Sequence, residues 1–151
     1  MKKIISLALC LALGGLVLSG CSGGEAQFEE KSYTPDAQVS AVTIGVQDRD
    51  VTVELSADGQ VHIQYFESSK EFYDISVSGG VLTMTGATDK SWIDYIGLAP
   101  SAEYRKIVLQ VPDAMLENLT IATTNEDITL PSLSVTGSVS LDCNGGDISF
   151  A

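Results

Sequence analysis

The sequence predicts an all-β protein, a β-solenoid-like stack of short strands with hairpins. Three observations predict it. After Gln38, apolar residues recur at every second position in most segments, the period of half-buried strands. No long segment carries the 3.6-residue spacing of an amphipathic helix. And residues 119–130, "LTIATTNEDITL", are echoed twenty positions later by residues 139–150, "VSLDCNGGDISF".

The chain opens differently. Lys2 and Lys3 form a positive head, and residues 4–18 are apolar apart from Ser6, Gly14 and Gly15. As a helix this stretch would reach about 22 Å at ~1.5 Å per residue, short of a bilayer core about 30 Å thick. Charged head, short apolar centre and small residues afterwards predict a secretory signal over residues 1–20. Leu18-Ser19-Gly20-Cys21 then resembles the lipobox of bacterial lipoproteins. In that family the cysteine thiol takes a diacylglycerol and the peptidase cuts just before it. The resemblance implies that Cys21 becomes the lipidated first residue of the mature chain. The alternative is an ordinary cleaved signal beside a chance cysteine. Residues 21–37 comprise this cysteine and a polar stretch with early glycines and a late proline, read as a flexible tether. The β-strand-repeat domain is expected over 38–151.

Charge narrows the function classes. The whole chain has 8 basic and 20 acidic residues. Without Lys2 and Lys3 it keeps 6 basic against the same 20 acidic, a formal charge of −14. Such a surface repels phosphate backbones and anionic headgroups, which argues against nucleic-acid binding. Of the three cysteines, Cys10 lies in the signal and Cys21 is the lipid site, so only Cys143 remains and no disulfide within the mature domain is expected. Cys143 shares strand parity with Val139 and Leu141, which points it inward as an inert thiol. A catalytic role would need a base nearby, and nothing local links it to His62, the only histidine.

The strands follow in order. "VTIGV" (42–46), "VTVEL" (51–55) and "VHIQY" (61–65) alternate cleanly. Asp58-Gly59 between the last two predicts a hairpin. "YDISV" (73–77), Gly79-Gly80 and "VLTMT" (81–85) predict another. "KIVLQV" (106–111) is a strand stopped by Pro112, which cannot donate to a ladder. In the repeat, Leu119 matches Val139, Ile121 matches Leu141, Ile128 matches Ile148 and Leu130 matches Phe150. Each copy reads as strand, polar turn, strand. A period near twenty suits one rung of a solenoid, which buries its apolar side by stacking on its neighbours.

These alternating strands, the "VPDAMLENLTI" run and the "NGGDI" turn resemble the bacterial putative-adhesin family of β-strand-repeat domains of unknown function. The likeness covers roughly residues 39–150. It implies a β-solenoid-like stack, often on secreted or lipid-anchored proteins, and brings no active site. In that family the turn resembles Asn-Gly-Asp followed by an apolar residue. Here the second copy has an added glycine, Gly146, and the first has Glu126 where glycine is usual, so the first turn is expected to be shaped differently. The chain also stops at Ala151, straight after an apolar strand, which leads us to expect either further rungs or pairing with another chain.

Candidate chemistry is sparse. Residues 142–147, "DCNGGD", lack the ligand spacing of a calcium loop and suit tight-turn chemistry instead. His62 has no second histidine to share a zinc ion. No phosphate-binding glycine loop or nucleophile elbow occurs. No cofactor and no metal are expected. Acidic pairs such as Asp48, Asp50 and Glu54, or Glu67 and Glu71, are what twenty acids produce by chance. Residues 90–104, "KSWIDYIGLAPSAEY", break the strand rhythm and hold Trp92, Tyr95 and Tyr104. They form either a lid on the β core or a contact loop whose aromatics meet a sugar or a partner protein.

The expectation is a lipid-anchored protein at a cell membrane, facing its extracytoplasmic side. There it serves as a non-enzymatic binding, adhesion or scaffold module, with a cell-surface glycan or protein as partner. The alternatives are a regulatory, envelope-sensing lipoprotein contacting another membrane protein and, more remotely, a glycan-active enzyme. Cys21→Ala should move the protein out of the membrane fraction or leave it unprocessed. Membrane-bound variant at its processed size, in fractionation with intact-mass analysis, would refute the lipid assignment.

Overall fold

The computed structural model describes residues 27–90, 99–114 and 116–151. The described residues hold eleven strands and a single 3-10 turn. The strands are β1 (Glu29–Tyr33), β2 (Ala41–Gly45), β3 (Asp50–Leu55), β4 (His62–Glu67), β5 (Glu71–Ser78), β6 (Val81–Thr88), β7 (Lys106–Val111), β8 (Leu116–Thr124), β9 (Ile128–Leu130), β10 (Val135–Asn144) and β11 (Ile148–Phe150). The 3-10 turn is Ala102–Arg105. The strands form a six-stranded sheet, ordered β1-β4-β7-β3-β9-β11, and a five-stranded sheet, ordered β10-β8-β2-β6-β5.

The twenty-residue period is a physical rung. β10 lies parallel to β8 with Leu119 opposite Val139 and Ile121 opposite Leu141. β11 lies parallel to β9 with Ile128 opposite Ile148 and Leu130 opposite Phe150. β2 and β3 extend both ladders in the same direction. Each rung therefore gives one strand to each sheet and turns between them. The inward residues of the two sheets share one core, with Ile44, Leu82, Met84, Leu109, Leu119 and Ile121 fully buried.

The rung turns stack as well. Asp48, Asn125 and Gly145 all take positive φ, at 52°, 58° and 100°. Asp48 N–H donates to Thr124 O at 3.1 Å, and Asn125 N–H to Asn144 O at 2.8 Å. The Asn125 side-chain amide donates to Asp48 Oδ1 at 2.8 Å. This corrects one expectation. The repeat keeps its offset of twenty with no inserted glycine, so Gly145 lies over Asn125 and Gly146 over Glu126. The left-handed position falls on Asn125, a residue that tolerates it, and Glu126 is spared. Gly146 is needed for a different reason: a Cβ there would sit 2.1 Å from Glu126 O.

Two further expectations change. Gly79 and Gly80, with φ of 58° and 78°, do join β5 and β6 as an antiparallel hairpin. However, β3 and β4 are not a hairpin. β7 lies between them, parallel to β3 and antiparallel to β4. Residues 56–61 thus bridge two strand spacings, about 9–10 Å, and Ser56 N–H bonds Val111 O on the intervening strand. Ile107, Leu109 and Val111 are fully buried, which a central strand provides and a sheet edge does not. Within the stretch read as tether, residues 29–33 form β1, antiparallel to β4.

Inward residues of β10 and β11 are far more open than their partners one rung away: Val139 is 46% exposed and Phe150 74%, against 0% for Leu119 and 2% for Leu130. Matched substitutions should expose this gradient. Leu119→Ala should cost about 2–5 kcal/mol, while Val139→Ala should cost under about 1 kcal/mol because half its surface is already in water. Urea unfolding of both variants measures the difference, and equal losses would contradict it.

Candidate functional site

The principal cleft of the described residues, about 600 Å³, opens where the β2–β3 turn meets the ends of β5, β6, β8 and β10. One buried cation organises it. Arg49 sits in the "QDRDV" turn and is 6% exposed. Its Nε donates to the Tyr73 hydroxyl at 2.6 Å. One terminal nitrogen reaches the Gln47 and Asp48 carbonyls at 3.3 and 3.0 Å. The other pairs with Glu71 Oε2 at 2.5 Å. Lys90 holds the second Glu71 oxygen at 2.5 Å. The Arg49 backbone is fixed by Thr123, whose hydroxyl donates to Arg49 O at 2.6 Å. Tyr73 stands edge-on to Tyr65 at 5.3 Å.

These contacts set the charges. Burial works against ionisation of Glu71, but hydrogen bonds from Lys90 and Arg49 outweigh it and hold the carboxyl below its ordinary range. Burial pushes the Tyr73 hydroxyl up, against the pull of Arg49. Arg49 gains more from Tyr73 and Glu71 than burial removes, so its charge is held more firmly than usual. Arg49 and Lys90 both serve Glu71.

One end of the outer face of the five-stranded sheet, at Gly45, Ala87 and Ala122, forms part of the cleft's lining. Strand registers set the residues of this face in ranks across the strands. One rank is hydroxyl throughout: Ser140, Thr120, Thr43, Thr83 and Ser76. The next is Asp142, Ala122, Gly45, Thr85 and Asp74. Beyond it, Asn144 pairs with Thr124 on one side and Ala87 with Phe72 on the other. The cleft therefore has a low centre of glycine and alanine, an acid-and-amide rim at β10, and a partly exposed Phe72 (37%) at β5.

The sequence-predicted residues fall elsewhere. Leu18, Ser19, Gly20, Cys21, Trp92 and Tyr95 lie outside the described residues. Tyr104 stacks on Phe28 at 5.2 Å and meets Phe66 edge-on at 5.6 Å, and it does not line the cleft. Cys143 points inward, as its parity predicts, but is only half-buried, and its thiol donates to Gly146 O at 3.1 Å. His62 joins residues distant in sequence. Its Nε2 faces Asp58 at 2.8 Å and its Nδ1 faces the Thr34 hydroxyl at 2.8 Å. The bond with His62 lowers the Asp58 pKa. An ionised carboxylate only accepts, so Nε2 carries the proton and, on neutral imidazole, Thr34 donates to Nδ1. This chain pins the end of β1 to the turn before β4. Sequence reasoning missed Arg49 and Phe72. Arg49 looks like a solvated turn residue, and Phe72 lies on the outward parity of β5. The one local signal was Gly45, a glycine inside an otherwise β-branched strand.

The Toastrack DUF4097 family model matches residues 39–151. Among solved structures, a putative adhesin from Bacteroides fragilis is 10% identical with a TM-score of 0.37, over 83% of this chain and 97% of that one. A putative cell adhesion protein from Clostridium sporogenes is 8% identical with a TM-score of 0.42, over 83% and 99%. A putative lipid binding protein from Parabacteroides distasonis is 14% identical with a TM-score of 0.46; the match covers 84% of this chain and 53% of that one. Curated proteins give no match.

Glu71 makes stability depend on acid. Its folded pKa lies below the unfolded value, so its contribution is complete above the unfolded carboxyl range of about 4.3 and is lost as pH falls through the folded value. The melting temperature should fall between pH 5 and pH 3, and fall less steeply in Glu71→Gln. Parallel slopes in pH-resolved calorimetry would remove Glu71 as a source.

Proposed function

The chain belongs to the Toastrack DUF4097 family, and from that premise we propose that it is a non-enzymatic binding module, held to a membrane by lipid on Cys21 and displayed on the extracytoplasmic side. The signal-like residues 1–20 and the lipobox-like Leu18-Ser19-Gly20-Cys21 support the placement. The acidic balance supports a partner that is neither nucleic acid nor an anionic lipid surface.

The observation that carries the binding reading is the chemistry of the cleft. Its cations, Arg49 and Lys90, are engaged internally by Glu71. What it offers outward is a part-exposed aromatic ring, carboxylates, an amide and hydroxyls over a low floor. A concave surface with few oriented polar groups and an aromatic wall is built for recognition. The partner is a component of the cell surface, a glycan or a protein.

Surface display and envelope binding test this together. Protease added to intact cells, or to spheroplasts of a two-membrane cell, should remove the domain. Purified full-length protein should be retained on isolated envelope, and Phe72→Ala with Asp142→Ala should weaken retention at least tenfold. Full protection from protease, or retention unaffected by the double variant, would overturn the reading.

A further inference from the structure

We infer that the cleft binds an extended neutral glycan, laid across the strands of the five-stranded sheet with one sugar ring against Phe72. The inference rests on the binding reading above and specifies the ligand class and its path.

Four observations meet at this place. The first is the cleft itself, about 600 Å³ and open to solvent along the outer sheet face. The second borders the cleft and is not part of its lining: the hydroxyl rank Ser140, Thr120, Thr43, Thr83 and Ser76 crosses all five strands in register, two residues along each strand from the rank of Asp142, Ala122 and Gly45. Strands are about 4.8 Å apart, so a ligand crossing them meets a hydroxyl at each step over about 19 Å. The complement of a repeating row of hydroxyls is a polymer whose own units carry hydroxyls. The third is Phe72, 37% exposed at one end, whose ring can take the apolar face of a sugar.

The fourth is the set of glycines. Of the eight among the described residues, Gly59, Gly79, Gly80 and Gly145 have positive φ, and Gly137 and Gly146 would clash with neighbouring backbone if given a Cβ. Gly45 and Gly86 have neither reason. An added Cβ at Gly45 meets nothing within 4 Å, and at Gly86 only Val46 Cα at 3.9 Å. Both sit in strands, where glycine is unfavourable and commonly marks the approach of another body. Both line the cleft on adjacent strands but on opposite parities: Gly45 pairs with Thr85 on the outward face, while Gly86 pairs with Tyr73 on the inward one, so Gly45 alone marks the outer face. Among the described residues nothing fills the space above Gly45, which leaves room there for a ligand.

Charge selects among glycans. The cleft's remaining carboxylates outside the Arg49–Glu71–Lys90 set are Asp48 and Asp142, with Asp74 at the β5 end of the rank that holds Asp142. Asp48 already accepts from Asn125. Uronic-acid or sulfated chains meet repulsion here, whereas neutral hydroxyls find acceptors in Asp142 and Asn144.

The test is calorimetric titration of the full-length protein, in a detergent without sugar headgroups, with cellohexaose, chitohexaose and mannohexaose. At least one should bind, its disaccharide at least tenfold more weakly, and hexagalacturonate at least tenfold more weakly than the neutral hexamer. Phe72→Ala should weaken binding at least tenfold. Gly45→Ile fills the floor where the fold leaves room, so it should weaken binding at least tenfold with melting unchanged or raised. Gln110→Ala, on the other sheet, should change nothing. Binding by none of the neutral hexamers, equal binding of hexagalacturonate, or binding unaffected by Gly45→Ile would overturn the inference. If envelope retention still depended on Phe72 and Asp142 in that case, the binding reading would stand and only the glycan would fall.

Discussion

Parallel stacking at a fixed register is the constraint on which the rest depends. When β8 and β10 align residue for residue from Ser138 to Asn144, and β9 and β11 do the same along their length, the apolar positions of one rung must lie over those of the next. A slip of one residue would turn every inward side chain to water. Polar contacts between rungs, in turns and strands alike, reinforce that register. Asp147 N–H bonds the Asp127 side chain at 2.8 Å, Ser138 N–H bonds Asn118 at 3.2 Å, and Thr129 meets Ser149 at 3.0 Å. In each pair the partners are twenty residues apart.

The stack alone does not make the cleft. One wall comes from Arg49, a buried charge in the β2–β3 turn that is bound to β5 and β8 of the five-stranded sheet. A buried guanidinium needs its donors filled, and Tyr73, Glu71 and two carbonyls of its own turn fill them. The turn is thereby drawn against β5, and the ground beside it is left low. Packing thus shapes the site: the same contacts that satisfy the buried cation fix the rim beside Gly45 and Phe72.

What the sequence could reveal followed the range of its signals. The β5–β6 hairpin was legible because Gly79-Gly80 is a local turn code. The two final rungs were legible because their pairing repeats in the sequence itself. The β3–β4 neighbourhood was not. Asp58-Gly59 does turn the chain, with Gly59 at φ of 75°, but a turn does not say which strand will come between its arms, and β7 arrives from some forty residues on. β1 was hidden because "EEKSY" has a single apolar residue, Tyr33, too few to show an alternation, and so resembles a tether. The cleft was hidden for a related reason. Arg49 owes its role to Glu71 and Tyr73, more than twenty residues away, and five strands meet at the cleft from separate parts of the chain.

The position of β1 has a mechanical consequence. It is an edge strand, hydrogen-bonded on one side only, through five residue pairs with β4 and the Thr34–His62 contact at its end. It is also the first strand of the described residues, so under the proposed lipid anchorage any drag from the N-terminal side loads it before the core. Peeling β1 would expose the side of β4 while leaving the parallel ladders of β2, β8 and β10 intact. Under that proposed anchorage, the strand is placed to yield first under tension, as a fuse between membrane and body.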